Sequence, residues 1–220
     1  MKSARLLLKH MKEGDTILDV GCFTQEAAKY FPRTMTYIGI DGEKYHKNTK
    51  VVDLNHGFEA IACNGVLCLE VLEHLVDPED CLEAICSSVS QEGRVVLSLP
   101  NEATLFHRIR SLLGTVDGNC FSGQGKHLHL PSLKQSRTLC MKYFDVLEEK
   151  YYISPSACGS QAPFLLKVLL ALIPDRIQER LSAWIPSLFA RGFIFVCKKK
   201  DKTQDKPGAS SVESTADIKQ

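Results

Sequence analysis

A chain of 220 residues, of which 44% are hydrophobic, can bury one substantial core and is too short to need two. Its formal net charge of +1 gives no general attraction to nucleic acid, and we expect no nucleic-acid partner. The nine cysteines occur singly, without a Cys-x-x-Cys pair, which predicts reduced thiols and a cytoplasmic location. The apolar run at 6–8 is too short for an export signal, and the apolar segment at 163–173 is too short to span a bilayer.

From its first residues, the chain alternates short apolar runs with amphipathic segments. The apolar runs predict strands at 16–20, 37–41, 51–54, 66–69, 95–99, 146–153 and 193–197. The amphipathic or uniformly apolar segments predict helices at 3–12, 24–31, 77–89, 102–113, 132–143, 163–173 and 177–184. Asp77 before Pro78 indicates an N-cap, and Ser132 and Gln135 have the spacing of a capping box. Strands separated by helices favour a parallel sheet with right-handed crossovers.

Acidic residues stand at the carboxyl ends of the first predicted strands. Asp19 precedes Gly21 in the first strand and turn, and Asp41 lies twenty residues beyond that glycine. This spacing suits a carboxylate that binds the ribose hydroxyls of an adenosine held over the first turn. The alternative is an ordinary turn aspartate before Gly42. Asp53, or the backbone of the following Leu54, would contact the adenine ring.

An ordered set of motifs carries a family resemblance. The motifs are Ile17-Leu18-Asp19-Val20-Gly21-Cys22, Ile38-Gly39-Ile40-Asp41, Val52-Asp53-Leu54, Glu70-Val71-Leu72-Glu73-His74-Leu75 and Leu99-Pro100-Asn101. Together they resemble class I S-adenosylmethionine-dependent methyltransferases, of the type 11 and ubiquinone-pathway kind. The resemblance implies a three-layer, doubly wound, Rossmann-like α/β fold whose seven-stranded sheet is mostly parallel, with an antiparallel last strand. It also implies S-adenosylmethionine as cofactor, bound by Asp19, Gly21, Phe23, Asp41, Gly42, Asp53, Leu54 and Glu70.

The first motif departs from the family pattern, which places glycines two and four residues after Gly21. Phe23 and Gln25 stand there. The missing glycines disfavour a nicotinamide- or flavin-dependent oxidoreductase, because those glycines admit a pyrophosphate and close helix packing. S-adenosylmethionine has no pyrophosphate and is less affected. A non-catalytic partner protein that keeps the fold and binds no cofactor is the alternative function.

Glu70, Glu73 and His74 follow the fourth predicted strand at i, i+3 and i+4. Two carboxylates and an imidazole suit a hard divalent cation, Mg²⁺ or Mn²⁺. The pattern resembles that of small-RNA 2′-O-methyltransferases and ubiquinone-pathway O-methyltransferases, where it holds a metal at the acceptor hydroxyl. His127 or His129 would supply the further histidine, and we predict the ligand set Glu70, Glu73, His74 and His129. Without metal, His74 or His129 would act as general base; alternatively, Glu-His-Leu is only a turn common after this strand.

We expect one methyltransferase domain over 1–198, with a helical insert at 155–191 over the substrate side and a disordered tail at 199–220. The expected reaction is O-methylation of a small-molecule or lipid- or glycan-linked acceptor. The apolar and basic residues of 163–191 also suit peripheral contact with a membrane surface. The alternative for this segment is two helices that pack on the sheet.

Overall fold

The computed structural model describes residues 1–101, 103–114, 127–129, 131–152 and 175–200. Seven strands form one sheet in the order β3-β2-β1-β4-β5-β7-β6. The strands are β1 (Thr16–Val20), β2 (Thr36–Asp41), β3 (Lys50–Val51), β4 (Cys63–Leu69), β5 (Val89–Pro100), β6 (Phe144–Tyr152) and β7 (Gly192–Lys199). The helices are α1 (Lys2–Leu8), α2 (Pro78–Ser88), α3 (Leu105–Leu112), α4 (Leu133–Tyr143), α5 (Asp175–Trp184) and α6 (Pro186–Phe189).

The direction of the strands confirms the predicted fold class. Strands β3, β2, β1, β4 and β5 are parallel neighbours, and β7 runs antiparallel to both β5 and β6. Successive strand residues face opposite layers. Ile17 and Leu67 pack in a cluster with Leu7 of α1, whereas Leu18 and Val66 pack in a second cluster with Ile85 of α2. The sheet is therefore the middle of three layers.

Several elements differ from their predictions: α1 ends at Leu8 and not at residue 12, β5 begins at Val89 and not at residue 95, and two short elements differ more. The segment expected as a helix at 24–31 contains a five-residue 3₁₀ turn, Glu26–Tyr30. Phe31 is extended because the following Pro32 disfavours the helical region for the residue before it, so the turn cannot lengthen. The third strand is confined to Lys50–Val51, because Asp53 accepts hydrogen bonds from Asn55 and starts a loop where a longer strand was predicted.

The predicted starts of α2 and α4 are confirmed. The Asp77 carboxylate accepts a hydrogen bond from the backbone N–H of Glu79, with Pro78 in the first turn. Ser132 and Gln135 form both hydrogen bonds of a capping box at the start of α4. The predicted helix at 163–173 lies outside the described residues, as do most of the predicted insert and the tail from residue 201. Among the helices that the structure does describe, none is long and apolar enough to cross a membrane.

Candidate functional site

Backbone strain concentrates at the carboxyl ends of β1 and β4. In the described part of the chain, the non-glycine residues with positive φ are Phe23 (43°), Gln25 (58°) and Glu70 (55°). Phe23 and Gln25 follow β1, and Glu70 follows β4, the strand beside it. A left-handed conformation costs a non-glycine residue roughly 1–2 kcal/mol. Strain of this kind clusters at binding and catalytic sites, so this edge of the sheet is the candidate site.

Gly21 is required where β1 ends. Its φ is +71°, and a Cβ atom built on it would collide with the side chain of Val71. The N–H groups of Gly21 and Cys22 both donate to the carbonyl oxygen of Ile40, at 2.9 and 3.1 Å. The turn is thereby fixed against the end of β2.

The loop after Gly21 keeps a backbone that suits glycine although its residues are Phe23 and Gln25. The backbone N–H of Phe23 donates to Asp41 Oδ2 at 2.8 Å, and its ring lies 4.5 Å from the ring of Tyr45. Phe23 is 56% exposed. Gln25 is buried, and its Nε2 donates to Thr49 Oγ1 at 3.2 Å. The Phe23 ring therefore forms part of the outer wall of the site.

Of the other residues predicted to hold the cofactor, Asp41 and Gly42 lie beside the Gly21 turn, whereas Asp53 and Leu54 lie in the loop after β3. Asp41 ends β2 beside the Gly21 turn, and Gly42, which follows it, is exposed with open space around its Cα. Asp53 is exposed and accepts hydrogen bonds from the backbone and side chain of Asn55, both at 3.0 Å. These bonds hold the pKa of Asp53 below its usual range. Leu54 is buried in the core.

Asp19 is a buried carboxyl group within the first motif. It is 4% exposed, and the Tyr37 hydroxyl donates a hydrogen bond to its Oδ2. Burial raises the pKa of Asp19 to about 7, the Tyr37 bond acts in the opposite direction, and the nearby Asp41 raises it further. Asp19 therefore changes charge near neutral pH, beside the turn that ends β1.

We expect Asp19→Asn to remove a pH-dependent loss of stability. Because the folded-state pKa is raised, the Asp19 contribution is full below the unfolded pKa and is lost as pH rises through about 7. The difference between the free energies of unfolding of the variant and the wild type should therefore shift in favour of the variant by roughly 3 kcal/mol between pH 4 and 7. Urea unfolding at several pH values measures this difference. Tyr37→Phe is the control, and it should move the transition to higher pH; a constant difference across the range would contradict the assignment.

Glu70 is tied to the neighbouring strands. Its Oε1 accepts hydrogen bonds from Ser98 Oγ of β5 at 3.0 Å and from the Tyr152 hydroxyl of β6 at 2.7 Å. The Tyr152 ring packs directly on Gly192, where no Cβ would fit. Burial and the Glu70 carboxylate raise the pKa of Tyr152 well above its usual range, so this hydroxyl remains a donor. The left-handed backbone and these two bonds hold the Glu70 carboxylate toward β5 and β6.

Three side chains come together just beyond Glu70, in the turn Leu72–His74 and the segment 127–129. Glu73 is fully buried, and its Oε1 lies 3.9 Å from both His74 Nε2 and His127 Nε2. One ligating atom of each residue lies within 4.8 Å of the others. The imidazoles are 37% and 29% exposed. The arrangement is a carboxylate on the floor of the site with two histidines above it.

His129 has a different position from the one predicted. Its ring Nε2 lies 2.9 Å from the carbonyl oxygen of Leu75, within hydrogen-bonding distance. The backbone N–H groups of Leu128 and His129 donate to the carbonyl oxygen of Glu73 at 2.7 and 3.1 Å. These bonds hold the segment so that His127 joins Glu73 and His74. Of the proposed ligand set, the structure brings together Glu73 and His74, and places Glu70 and His129 elsewhere.

Comparison with known proteins agrees with this architecture. Residues 2–143 match a family described as a methyltransferase domain. No curated protein matches the sequence significantly. Similar solved structures include the YcgJ protein of Bacillus subtilis, with 12% identity, a TM-score of 0.57 and coverage of 91% of this chain and 99% of that chain.

Two further structures carry more informative names. One is an S-adenosylmethionine-dependent methyltransferase from Archaeoglobus fulgidus, with 18% identity, a TM-score of 0.57 and coverage of 90% of this chain and 93% of that chain. The other is the 1,6-didemethyltoxoflavin-N1-methyltransferase of Burkholderia thailandensis with bound S-adenosylhomocysteine. It has 12% identity, a TM-score of 0.53 and coverage of 91% of this chain and 77% of that chain. At these identities the structures show the fold, while the match over 2–143 shows the family. The chain therefore belongs to the methyltransferase domain family.

Proposed function

We propose that the protein methylates an oxygen atom of its acceptor, with a divalent cation held by Glu73, His74 and His127. The observation that carries this proposal is the buried Glu73 carboxylate, which faces two partly exposed imidazoles at the carboxyl end of β4. When bound, a divalent cation lowers the pKa of a hydroxyl group that it coordinates and orients that group. Oxygen acceptors need such activation before they can displace a sulfonium.

The three side chains fit a small divalent cation. Metal bonds of about 2.1 Å place two ligating atoms at most about 4.2 Å apart. The separation of 3.9 Å between Glu73 Oε1 and each histidine Nε2 lies inside that limit, and all three ligating atoms lie within 4.8 Å of one another, so a small inward movement of one ring brings the group within the limit. Two imidazoles and one carboxylate suit Mn²⁺ and other transition metals better than Mg²⁺, which prefers oxygen ligands. We therefore propose Mn²⁺ rather than Mg²⁺.

The cofactor side of the proposal rests on the Gly21 turn and on Asp41. Asp41 already accepts the Phe23 N–H through Oδ2, and its Oδ1 accepts a long bond, 3.3 Å, from the N–H of Glu43. This carboxylate is partly exposed and can accept further bonds from ribose hydroxyls. Asp19, below the turn, would favour a cationic ligand once it is ionised.

The chain's own residues also offer a proton acceptor. Methyl transfer breaks a carbon–sulfur bond, forms a carbon–oxygen bond and releases the hydroxyl proton. This role is an alternative to the metal and applies only when no cation is bound: His74 is the more exposed of the two histidines, 37% against 29% for His127, and its imidazole can then receive that proton. The fully buried Glu73 would then hold the charged ring.

Calorimetric titration of the purified chain tests the proposed function. We expect saturable binding of S-adenosylmethionine, and binding of Mn²⁺ that is at least about tenfold tighter than binding of Mg²⁺, because of the two imidazole ligands. A failure to bind cofactor at millimolar concentration would contradict methyl transfer. Cofactor binding without any Mn²⁺ binding would contradict only the metal.

For the acceptor, we propose a small molecule or a lipid- or glycan-linked compound, with peripheral membrane contact through 163–191. The described part of that segment supports the contact, since Ile177 and Trp184 of α5 are 48% and 79% exposed and Arg180 on the same helix is exposed. Exposed tryptophan and arginine suit the headgroup region of an anionic bilayer. Co-sedimentation with anionic vesicles tests this contact, and we expect Trp184→Ala to reduce the fraction of protein that sediments. An unchanged fraction in the variant would contradict the contact.

A further inference from the structure

Helix α3 carries an apolar face that the domain leaves exposed. Four large apolar residues recur at i, i+4, i+7 and i+8 on one side of this helix and its last turn, and all are exposed: Leu105, Ile109, Leu112 and Leu113. An amphipathic helix of a globular domain ordinarily turns such a face to the core. Leu112, which is 86% exposed, is the most exposed large apolar residue in the described part of the chain. This face is therefore available for contact outside the domain.

The start of α3 is held close to the end of α5. Thr104 caps α3, and Asn101, three residues earlier, is buried. The side-chain amide of Asn101 donates to the carbonyl oxygens of Ser187, at 3.2 Å, and Ala190, at 2.7 Å. These two carbonyls belong to α6 and the residue that ends it, and α6 begins one residue after α5 ends. The start of α3 and the exposed Trp184 at the end of α5 therefore belong to one region of the surface.

This region borders the candidate site. Strand β5 ends at Pro100, directly before Asn101, so α3 leaves the same edge of the sheet at which Glu73 lies. Val76, three residues after Glu73, is 72% exposed. Segments that begin or end at this edge contain the four most exposed large apolar residues of the described chain: Leu112, Trp184, Val76 and Leu113. Concentrated apolar exposure of this kind marks a contact with a partner or a membrane.

The charge of α3 indicates the partner. Residues 103–114 contain two arginines, Arg108 and Arg110, and no acidic residue. Arg108 is exposed, and its Nε donates to the carbonyl oxygen of Ala103 at 2.8 Å, which holds the guanidinium along the first turn of the helix. A helix with an apolar face, basic residues and no acidic ones is suited to the headgroup region of an anionic bilayer.

We propose that α3 inserts its apolar face into an anionic lipid surface, beside the end of α5. The inference rests on the membrane contact proposed above for 163–191 and extends it to a helix outside that segment. Because both helices border the edge of the sheet at which Glu73 lies, the site opens toward the bilayer. A lipid-linked acceptor then enters the site from the membrane.

Vesicle binding by the full chain, measured without cofactor or metal, tests the proposal. The vesicles contain either phosphatidylcholine alone or equal parts of phosphatidylcholine and phosphatidylglycerol, the mixed vesicles. We expect Leu112→Asp to weaken binding to the mixed vesicles by at least about tenfold, because it removes an inserted leucine and adds a negative charge.

Met141→Asp is the matched control. Met141 of α4 is 50% exposed and stands three residues before β6, which is parallel to β5 and therefore begins at the opposite edge of the sheet. A charge on that edge is screened from the bilayer, so the affinity should change by less than about twofold.

A second pair of variants tests the charge without changing the apolar face. Arg108→Gln should weaken binding to the mixed vesicles by about fivefold, the contribution of one basic residue near an anionic surface, and should leave binding to phosphatidylcholine unchanged. Arg108→Lys keeps the charge and should bind as the wild type does. Equal losses in these two variants, or in Leu112→Asp and Met141→Asp, would overturn the proposal.

Two further outcomes would overturn it by assigning the face differently. A loss in Trp184→Ala but not in Leu112→Asp would mean that only α5 contacts the bilayer. Self-association of the wild type without vesicles, abolished by Leu112→Asp, would mean that the face binds a second copy of the chain. Binding of S-adenosylmethionine and of Mn²⁺ is measured without vesicles, so failure of the proposed function is distinguishable from failure of this inference.

Discussion

Replacement of Glu73 by glutamine should weaken Mn²⁺ binding by at least about 100-fold, because loss of an outer partner of a metal ligand already costs 10–100-fold. Glutamine keeps the shape of the side chain and removes the anionic oxygen nearest both histidines. Glu70→Gln is the matched control, because it makes the same change three residues earlier. Glu70 is held by Ser98 and Tyr152, so its replacement should change Mn²⁺ affinity by less than about threefold. Titration of each variant, monitored by electron paramagnetic resonance of free Mn²⁺, measures the effect.

A second pair of variants distinguishes the roles of His127 and His129. His127→Ala should lower Mn²⁺ affinity strongly because it removes one of the proposed ligands. His129→Ala removes a ring that contacts the Leu75 carbonyl, and should lower affinity only through looser packing of 127–129. Equal losses in both variants, or a larger loss in Glu70→Gln than in Glu73→Gln, would contradict the ligand set Glu73, His74 and His127.

The sequence predicts the sheet well, because the hydrophobic period and the length of the apolar runs define the buried strands. It also predicts that Glu70, Glu73 and His74 lie at one strand end. It predicts less well which of these side chains lie together, because spacing of i, i+3 and i+4 implies one face only where the chain is helical. Here Glu70 adopts a left-handed conformation and only Leu72–His74 forms a 3₁₀ turn. The two carboxylates consequently face different neighbours.

The choice between His127 and His129 illustrates a second limit. The two residues are separated by one position, and no local pattern indicates which ring faces Glu73. The answer depends on long-range bonds, from the backbone of 128–129 to Glu73 and between the His129 ring and Leu75. The exposed apolar face of α3 is likewise found only from the structure, since an amphipathic sequence does not indicate what covers that face.

At Phe23 and Gln25 the sequence indicates a larger change of structure than the loop actually has. Missing glycines indicate a changed loop, yet both residues keep positive φ. Asp41 stabilises this conformation by accepting the Phe23 N–H, and Thr49 does so by accepting a bond from Gln25. The loop therefore retains the backbone that glycines would give, with an exposed aromatic pair, Phe23 and Tyr45, added outside it.

The same bond makes Asp41 the most sensitive residue of the proposed cofactor site. Asp41→Ala should weaken S-adenosylhomocysteine binding by at least about 100-fold, because two hydrogen bonds from ribose hydroxyls to a carboxylate contribute about 1.5–3 kcal/mol each. The variant also removes the acceptor of the Phe23 N–H, so the strained loop loses one of its supports. Isothermal titration calorimetry measures the affinity.

Asp53→Ala is the comparison for that experiment. Asp53 is also a carboxylate at this edge of the sheet, but it accepts its hydrogen bonds from Asn55. Because Asp53 is predicted to contact the adenine ring and not the ribose, we expect a smaller loss, of about fivefold at most, the effect of one neutral hydrogen bond. Asp41→Asn should lie between the two, because an amide oxygen still accepts the Phe23 N–H while the charge is lost. If Asp53→Ala weakens binding as much as Asp41→Ala, the ribose contact belongs to the loop after β3 and the placement of the cofactor over the Gly21 turn is wrong.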